Sequence, residues 1–199
     1  MQPRLQTGSV MMEALLLRHV QTSLEIKRDF FDREISHIIA LGTSLAECLK
    51  SGGKILICGN GGSAADAQHF AAELSGRFVA ERKGLAAIAL TTDTSALTAI
   101  GNDYGFDEIF SRQVEALGCP GDRLVCISTS GNSKNIIRAA KAAKILGLTT
   151  VGLLGNNGGQ LNAMLDDCLI VPSSIAARVQ EIHIMAIHFL CEILDERFK

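Results

Sequence analysis

The sequence predicts a doubly wound α/β fold built on a five-stranded parallel sheet. Five short apolar runs alternate with longer stretches of helical spacing over most of the 199 residues. Strands that alternate with helices are joined by right-handed crossovers, which produces a parallel sheet with helices on both faces. We predict strands at 54–58, 86–90, 123–128, 149–154 and 167–171, and helices at about 63–77, 107–117, 133–146 and 176–198.

The residues before the first strand predict two helices over about 11–51, after a segment, 1–10, that we expect to be disordered. The second helix carries an apolar stripe at three- and four-residue spacing, formed by Ile35, Ile38, Gly42, Leu45 and Leu49. The first helix adds further apolar residues, namely Met12, Leu15, Leu16, Val20 and Leu24. These faces pack either on the chain's own sheet or in a bundle between subunits. Nothing indicates a domain boundary within 11–199, so we expect a single domain.

Composition excludes several classes of function. The formal net charge is -2 and no run of basic residues occurs, so the electrostatic footprint of a nucleic-acid-binding protein is missing. No uninterrupted apolar stretch is long enough to span a membrane, and the first 30 residues lack a signal-peptide pattern. We therefore expect a cytoplasmic protein. Its six cysteines include no C-x-x-C pair, and we expect them to be reduced.

A glycine-rich loop, Gly59-Asn60-Gly61-Gly62-Ser63, follows the first predicted strand. Glycines let the backbone turn sharply toward a ligand, and the next helix offers free N–H groups to an anion. With Ala64 the loop also satisfies the loose G-x-G-x-x-A dinucleotide pattern. The acidic residue that binds ribose is expected about 20 residues later, whereas Asp93 lies some 30 residues after the loop. We therefore predict no nucleotide cofactor.

A second loop, Ser128-Thr129-Ser130-Gly131-Asn132-Ser133, follows the third predicted strand and opens a helix. Hydroxyls and backbone N–H groups that converge at such a point bind a monophosphate without any lysine. The alternative is a helix cap, in which Ser130 or Ser133 bonds its own helix. Capping needs a single hydroxyl, and the loop has four, so the sequence favours phosphate binding.

Two predicted helices carry side chains suited to acid–base or metal chemistry. His69 and Glu73 are four residues apart and share one helical face. Gln180 and His188 are about two turns apart on the last helix, within 80° of the same face. All four can meet in one pocket. We interpret His183, on the same helix, as a packing residue.

These motifs in combination resemble the phosphoheptose isomerases of the sugar isomerase (SIS) superfamily. The matching segments are Cys58 to Ser63, Gln68-His69-Phe70-Ala71-Ala72-Glu73-Leu74, Gly101-Asn102-Asp103-Tyr104-Gly105-Phe106, the serine loop, and Gln180-Glu181-Ile182-His183. The likeness runs from about residue 10 to the end of the chain.

The resemblance implies a flavodoxin-like SIS domain that forms a homotetramer with active sites between subunits. The implied reaction converts sedoheptulose 7-phosphate to D-glycero-D-manno-heptose 7-phosphate through an enediol, the first step toward ADP-heptose and lipopolysaccharide. Its implied acid–base pair is Glu73 and His188. The implied substrate ligands are Asn60, Gly61, Gly62, Ser63, Arg77, Asp103, Ser128, Thr129, Ser130, Ser133 and Gln180. The implied ligands of one zinc ion per site are His69, Glu73, Gln180 and His188.

A second class of function has the same fold. The superfamily contains non-catalytic replication regulators of the DiaA type, which bind an initiator protein and share the Ala-Gln-His-Phe-Ala-Ala stretch found here. That branch does not retain the positions matching Glu73 and His188, and this chain has both. An unused carboxylate and imidazole in a closed cleft would be costly to desolvate, so their presence favours an enzyme.

Overall fold

The computed structural model describes residues 3–199 and contains one five-stranded, all-parallel sheet. The strands are β1 (Ile55–Gly59), β2 (Ala87–Ala89), β3 (Arg123–Ser128), β4 (Thr149–Gly155) and β5 (Asp167–Val171). They lie in the order β2-β1-β3-β4-β5. Strand β2 is added on one side of β1, and β3, β4 and β5 are added on the other side. The order of the strands therefore reverses between the parallel neighbours β1 and β3, where Gly59 lies beside Ile127. This is the switch point of a doubly wound fold, where ligands bind beyond the carboxyl ends of the strands.

Seven α-helices accompany the sheet in the described residues. Their bounds are α1 (Pro3–Lys50), α2 (Gly62–Ser75), α3 (Thr94–Tyr104), α4 (Ser111–Leu117), α5 (Lys134–Ile145), α6 (Gly159–Asn162) and α7 (Ala176–Phe198). Alternate residues of each strand point to opposite faces. Ile57 packs on the face covered by α1, α2 and α7, while Leu56 packs on the face covered by α4 and α5. The predicted doubly wound α/β fold is confirmed.

Helices α3 and α6 were not predicted, because α3 has only a short apolar side, where Leu97 and Ile100 are partly buried against the core, and α6 has a single turn. Helix α3 has no buried side chain, and α6 is only four residues long. Helical periodicity reports burial on one side, so a helix that buries little or is very short leaves only a weak pattern.

The region before β1 is one continuous helix of 48 residues, not the two helices that were predicted. No proline interrupts it after Pro3. Gly42 is accommodated because α7 packs closely there, and a Cβ on Gly42 would lie 2.9 Å from Ile193. Met1 and Gln2 lie outside the described residues, and the predicted disorder of residues 1–10 stays a prediction.

The two apolar groups of α1 have different surroundings. In the predicted stripe, Ile38 and Leu45 are fully buried within the chain's own core. The stripe therefore packs mainly on its own chain, although Ile35 is 42% exposed. The amino-terminal group remains exposed, from Leu15 at 37% to Leu24 at 57%. Within residues 3–199, no helix combines the length and hydropathy needed to cross a bilayer.

Candidate active site

The glycine-rich loop places the start of α2 against α7. Gly61 has a φ of 55°, in the left-handed region that glycine adopts without strain. A Cβ on Gly62 would overlap the side-chain amide of Gln180. Because glycine has no Cβ, α2 and α7 approach closely, and Gln180 is brought beside the loop that follows β1.

A small cavity of about 80 Å³ lies between the two loops at the switch point. Its polar lining residues are Asn60, Ser63, Ser128, Thr129, Ser133 and Gln180. The hydroxyls of Ser128 and Ser133 are 3.3 Å apart, and Ser128 Oγ accepts a hydrogen bond of 3.1 Å from the backbone N–H of Gly131. Four hydroxyls and two side-chain amides thus line a small cavity at the start of the 12-residue helix α5.

The structure shows which serine hydroxyls of this loop bond the backbone near α5. Ser133 occupies the N-cap position of α5, but its side chain makes no capping hydrogen bond. Its hydroxyl lines the cavity instead. Ser130 differs, because its residue is exposed and its Oγ accepts the Asn132 N–H at 3.2 Å. The Ser133 side chain therefore does not cap α5, and phosphate binding by Ser130 and Ser133 stays a prediction.

A reciprocal amide pair holds the first loop to helix α5. Asn60 Nδ2 donates to Asn135 Oδ1 at 2.9 Å, and Asn135 Nδ2 donates to Asn60 Oδ1 at 2.8 Å. Asn135 is buried, so the pair orients the Asn60 side chain at the cavity edge. Sequence reasoning missed Asn135, since a single asparagine inside a helix carries no signal of its long-range partner.

About two helical turns beyond the residues that line the cavity, α2 and α7 bring two histidines and a glutamate together. The Nε2 atoms of His69 and His188 are 3.0 Å apart, and His69 Nε2 lies 3.5 Å from Glu73 Oε1. Phe78 stacks on the His188 ring with a centroid distance of 5.7 Å. The side chains of His69 and Glu73 are 41% and 22% exposed, so a small molecule can reach them.

A family model described as the SIS domain matches residues 18–155. The chain belongs to the SIS domain family.

The SIS-domain relatives include phosphoheptose isomerases at high identity. Phosphoheptose isomerase 1 of Campylobacter jejuni is 65% identical over 161 residues, which are 81% of this chain and 87% of that protein. The phosphoheptose isomerase of Campylobacter concisus is 54% identical over 188 residues, 93% of this chain and 100% of that protein. The solved phosphoheptose isomerase of Neisseria gonorrhoeae has a TM-score of 0.88 and 49% identity, over 93% of this chain and 99% of that one. The predicted resemblance is confirmed.

Two of the implied substrate ligands lie away from the cavity of this SIS domain. The exposed Arg77 side chain donates to the Val79 carbonyl at 3.5 Å. Asp103 is exposed on α3 and accepts a hydrogen bond of 2.8 Å from Asn102. Neither residue lines the serine cavity, and their contact with substrate stays a prediction.

The implied zinc ligands are only partly assembled. His69, Glu73 and His188 supply nitrogen and carboxylate donors of the kind that zinc binds. Gln180, the fourth implied ligand, lines the serine cavity. Among residues 3–199, no three His, Cys, Asp or Glu side chains are grouped as a metal site. The donor chemistry fits zinc, whereas a complete coordination sphere is not present, so zinc stays a prediction.

His183 is a core residue of the SIS domain, in agreement with the sequence interpretation. It is 1% exposed, and its Nε2 lies 3.0 Å from the Leu154 carbonyl. Burial lowers the pKa of His183 to about 4, although the bond to Leu154 opposes this shift. The imidazole is therefore neutral at pH 7 and donates its Nε2–H to the carbonyl.

A buried ion pair supports the end of α2 that carries Glu73. Arg82 Nε and Asp195 Oδ1 are 2.7 Å apart, with side chains 0% and 4% exposed. Arg82 also donates to the backbone carbonyls of Glu73 and Leu74, each at 2.9 Å. These carbonyls belong to the last turn of α2, which has no further helical donors. The sequence did not reveal this pair, since its members are 113 positions apart.

Proposed function

We propose that this chain is a phosphoheptose isomerase, which interconverts sedoheptulose 7-phosphate and D-glycero-D-manno-heptose 7-phosphate. The observation that carries the proposal is that α2 and α7, which join Glu73, His69 and His188, also supply Ser63 and Gln180 to a hydroxyl-lined cavity at the start of α5. The hydroxyl-lined cavity is suited to a phosphate, and the group formed by Glu73, His69 and His188 is suited to proton transfer. The names of the relatives, at 54% and 65% identity, support the same activity.

In the proposed mechanism the serine cavity holds the phosphate and thereby places the sugar carbonyl near α7. Glu73 takes the proton from the carbon next to the carbonyl, which produces an enediol, and returns it to the neighbouring carbon. His188 gives a proton to one oxygen and accepts one from the other. The net change is an exchange of aldehyde and ketone positions, with every proton returned.

The positions of the supporting groups are consistent with these roles. Phe78 stacks on the His188 imidazole and limits its rotation. Arg82 fixes the carbonyl of Glu73 and so restrains the backbone from which the base projects. Such restraint matters because proton transfer requires the reacting atoms to be held within hydrogen-bonding distance.

We also propose one zinc ion per site, held by His69, Glu73, Gln180 and His188. When bound there, zinc would polarise the substrate carbonyl as a Lewis acid. The close approach of three of these residues supports the proposal. Elemental analysis of protein purified without chelators tests it, since a zinc content well below one per chain would contradict it.

We further propose a cytoplasmic homo-oligomer, a tetramer with active sites between subunits, that feeds the synthesis of ADP-heptose and lipopolysaccharide. The exposed apolar residues of α1 between Val10 and Leu24 support association with other copies. Arg77 and Asp103, implied as substrate ligands, are exposed away from the cavity of their own chain, as expected if they complete a partner's site.

The decisive experiment incubates the purified protein with sedoheptulose 7-phosphate, with and without a chelator, and follows formation of the aldose. We expect turnover without added nucleotide. A DiaA-type regulator would show none under any metal condition, and would instead bind an initiator protein. Absence of turnover with zinc, other divalent metals or no metal would refute the proposed activity.

A further inference from the structure

The serine loop is held by a second segment of the chain, which contains no predicted site residue. This supporting segment, residues 155–161, runs from the end of β4 into the short helix α6. The four consecutive loop residues 129–132 each lie against it. Ser128 and Ser133, whose hydroxyls line the cavity, flank these four residues. The backbone of 129–132 therefore sets where the two hydroxyls stand.

Two glycines allow the backbones of the serine loop and the supporting segment to touch. Gly131 has a φ of 65° and Gly159 a φ of 54°, both in the left-handed region. A Cβ on Gly159 would lie 2.5 Å from the Ser130 carbonyl oxygen, and one on Gly131 would overlap the Gly158 carbonyl. The Leu161 N–H donates to the Gly131 carbonyl at 3.0 Å. Because the two backbones are in direct contact, neither can shift here without displacing the other.

Asn132 is the side chain that joins the two segments. Its Nδ2 donates to the Ser130 carbonyl at 2.9 Å, and its Oδ1 accepts the Gln160 N–H at 3.1 Å. Its own N–H donates to Ser130 Oγ at 3.2 Å. Asn132 is exposed and does not line the cavity. Any effect of Asn132 on a bound phosphate is therefore exerted through the loop.

Support of this kind matters for a ligand that several groups must hold at once. Affinity falls when the hydroxyls and N–H groups around an anion have to be ordered during binding. A stretch that contains glycine loses more conformational freedom on ordering than other sequences do. The bonds of Asn132 and the contact at Gly159 restrict the loop before any ligand is present.

We propose that Asn132 and Gly159 are positioning residues, which hold the serine loop in the conformation that binds the phosphate group of the substrate. The proposal rests on the phosphate site proposed above. Neither residue touches the reacting carbons, so both act on substrate affinity and not on the chemical step. The role of the supporting segment is to make the phosphate site rigid from the side opposite the ligand.

The test compares Asn132→Ala with Asn162→Ala. Asn132→Ala removes two side-chain hydrogen bonds, one of them to the supporting segment. Asn162 is an exposed asparagine of α6 that bonds the Asn157 carbonyl, on its own side of the contact, at 3.4 Å. In Asn132→Ala we expect KM for sedoheptulose 7-phosphate to rise about 3- to 30-fold, with kcat within about two-fold of the parent. Asn162→Ala should match the parent in both constants.

Gly159→Ala provides a second variant on the other side of the contact. Its new Cβ would displace the Ser130 carbonyl, so KM should rise by at least about 10-fold if the protein folds. A ³¹P NMR titration with inorganic phosphate measures binding without turnover. We expect it to show weaker binding in Asn132→Ala, Gly159→Ala and Ser133→Ala, and unchanged binding in Asn162→Ala.

The outcomes separate the positioning role from the phosphate site itself. Phosphate binding in Asn132→Ala within about two-fold of the parent, while Ser133→Ala weakens it, would overturn the positioning role and leave the phosphate site in place. An equal loss in Asn162→Ala, or a fall in kcat with KM unchanged, would also overturn it. If Ser133→Ala leaves phosphate binding unchanged, the phosphate site is wrong and the positioning role falls with it.

Discussion

His69 on α2 and His188 on α7 face each other with their Nε2 atoms 3.0 Å apart. At this distance one nitrogen can donate a hydrogen bond to the other, which joins the two helices at this point. Glu73 Oε1 lies 3.5 Å from His69 Nε2 and brings a carboxylate to the same contact. The proposed chemistry therefore depends on the contact between α2 and α7 rather than on any single residue.

The proposed acid–base pair predicts large losses of turnover. Glu73→Gln keeps the size of the side chain but cannot accept a carbon-bound proton, and His188→Asn removes the partner acid. We expect kcat to fall by about 10²–10⁴-fold in each, the usual contribution of a positioned general acid or base, while phosphate still binds. His183→Asn, at a buried position outside the cavity, should lose much less. Turnover within a few-fold of the parent in both site variants would mean that the pair is wrongly assigned.

Ser133 should contribute to substrate affinity rather than to stability. Its hydroxyl lines the cavity and caps nothing, so Ser133→Ala removes one hydrogen bond to an ionised phosphate, worth about 1.5–3 kcal/mol. This corresponds to an increase in KM of about 10- to 150-fold. Ser130→Ala, which alters an exposed hydroxyl bonded to Asn132, should change KM less. Equal effects would show that the loop rearranges to bring Ser130 to the phosphate.

The exposed apolar surface of α1 predicts that the protein is not a monomer. Leu16, Leu17 and Val20 are each more than half exposed, and a contiguous apolar surface of this kind is normally covered. Light scattering at micromolar concentration should give a multiple of the 21.2 kDa chain mass. Leu16→Glu should lower that mass, whereas Glu115→Gln should not. A parent mass near 21.2 kDa would contradict the prediction.

The Arg82–Asp195 pair should stabilise the fold at neutral pH and lose its effect in acid. Burial alone would raise the pKa of Asp195, but hydrogen bonds from Ala80, Val79 and Arg82 outweigh it and the pKa is lowered. The stabilisation is therefore present above the unfolded pKa and is lost as pH falls through the folded value. Asp195→Asn should cost about 3–5 kcal/mol at pH 7, because it leaves Arg82 buried without a counter-charge. Thermal melts should show this difference shrink below about pH 4.

His37 should give stability the opposite dependence on pH. Its Nδ1 and Nε2 lie 3.0 Å from Glu34 and 2.6 Å from Asp167, which joins α1 to β5. Burial lowers the pKa of His37, yet the two carboxylates outweigh it and the pKa is raised. The contribution is present below the unfolded pKa and is lost as pH rises through the folded one. Between pH 6 and 8 the parent should lose up to about 1 kcal/mol more than His37→Gln. Parallel stability curves for the two proteins would rule this out.

The sequence by itself was sufficient for the five-stranded parallel sheet and for the family, although not for every helix. The five strands were recognisable because buried parallel strands are continuous apolar runs bounded by glycine or serine loops. Both loops, and the pairing of His69 with Glu73 on one helical face, follow from spacing within a few residues. Motifs of this local kind also identified the family.

Only the tertiary structure decided how separate elements meet. The contact between His69 and His188 spans 119 positions, and the Asn60–Asn135 pair spans 75. Gln180 lines the serine cavity because Gly62, which has no Cβ, leaves room for its side chain. This contact between α2 and α7 does not follow from the sequence. Similarly, the periodicity of α1 marked its apolar residues, but which of them are covered depends on where α7 lies. Local spacing determines which side chains share a face, whereas the packing of helices on the sheet determines what that face contacts.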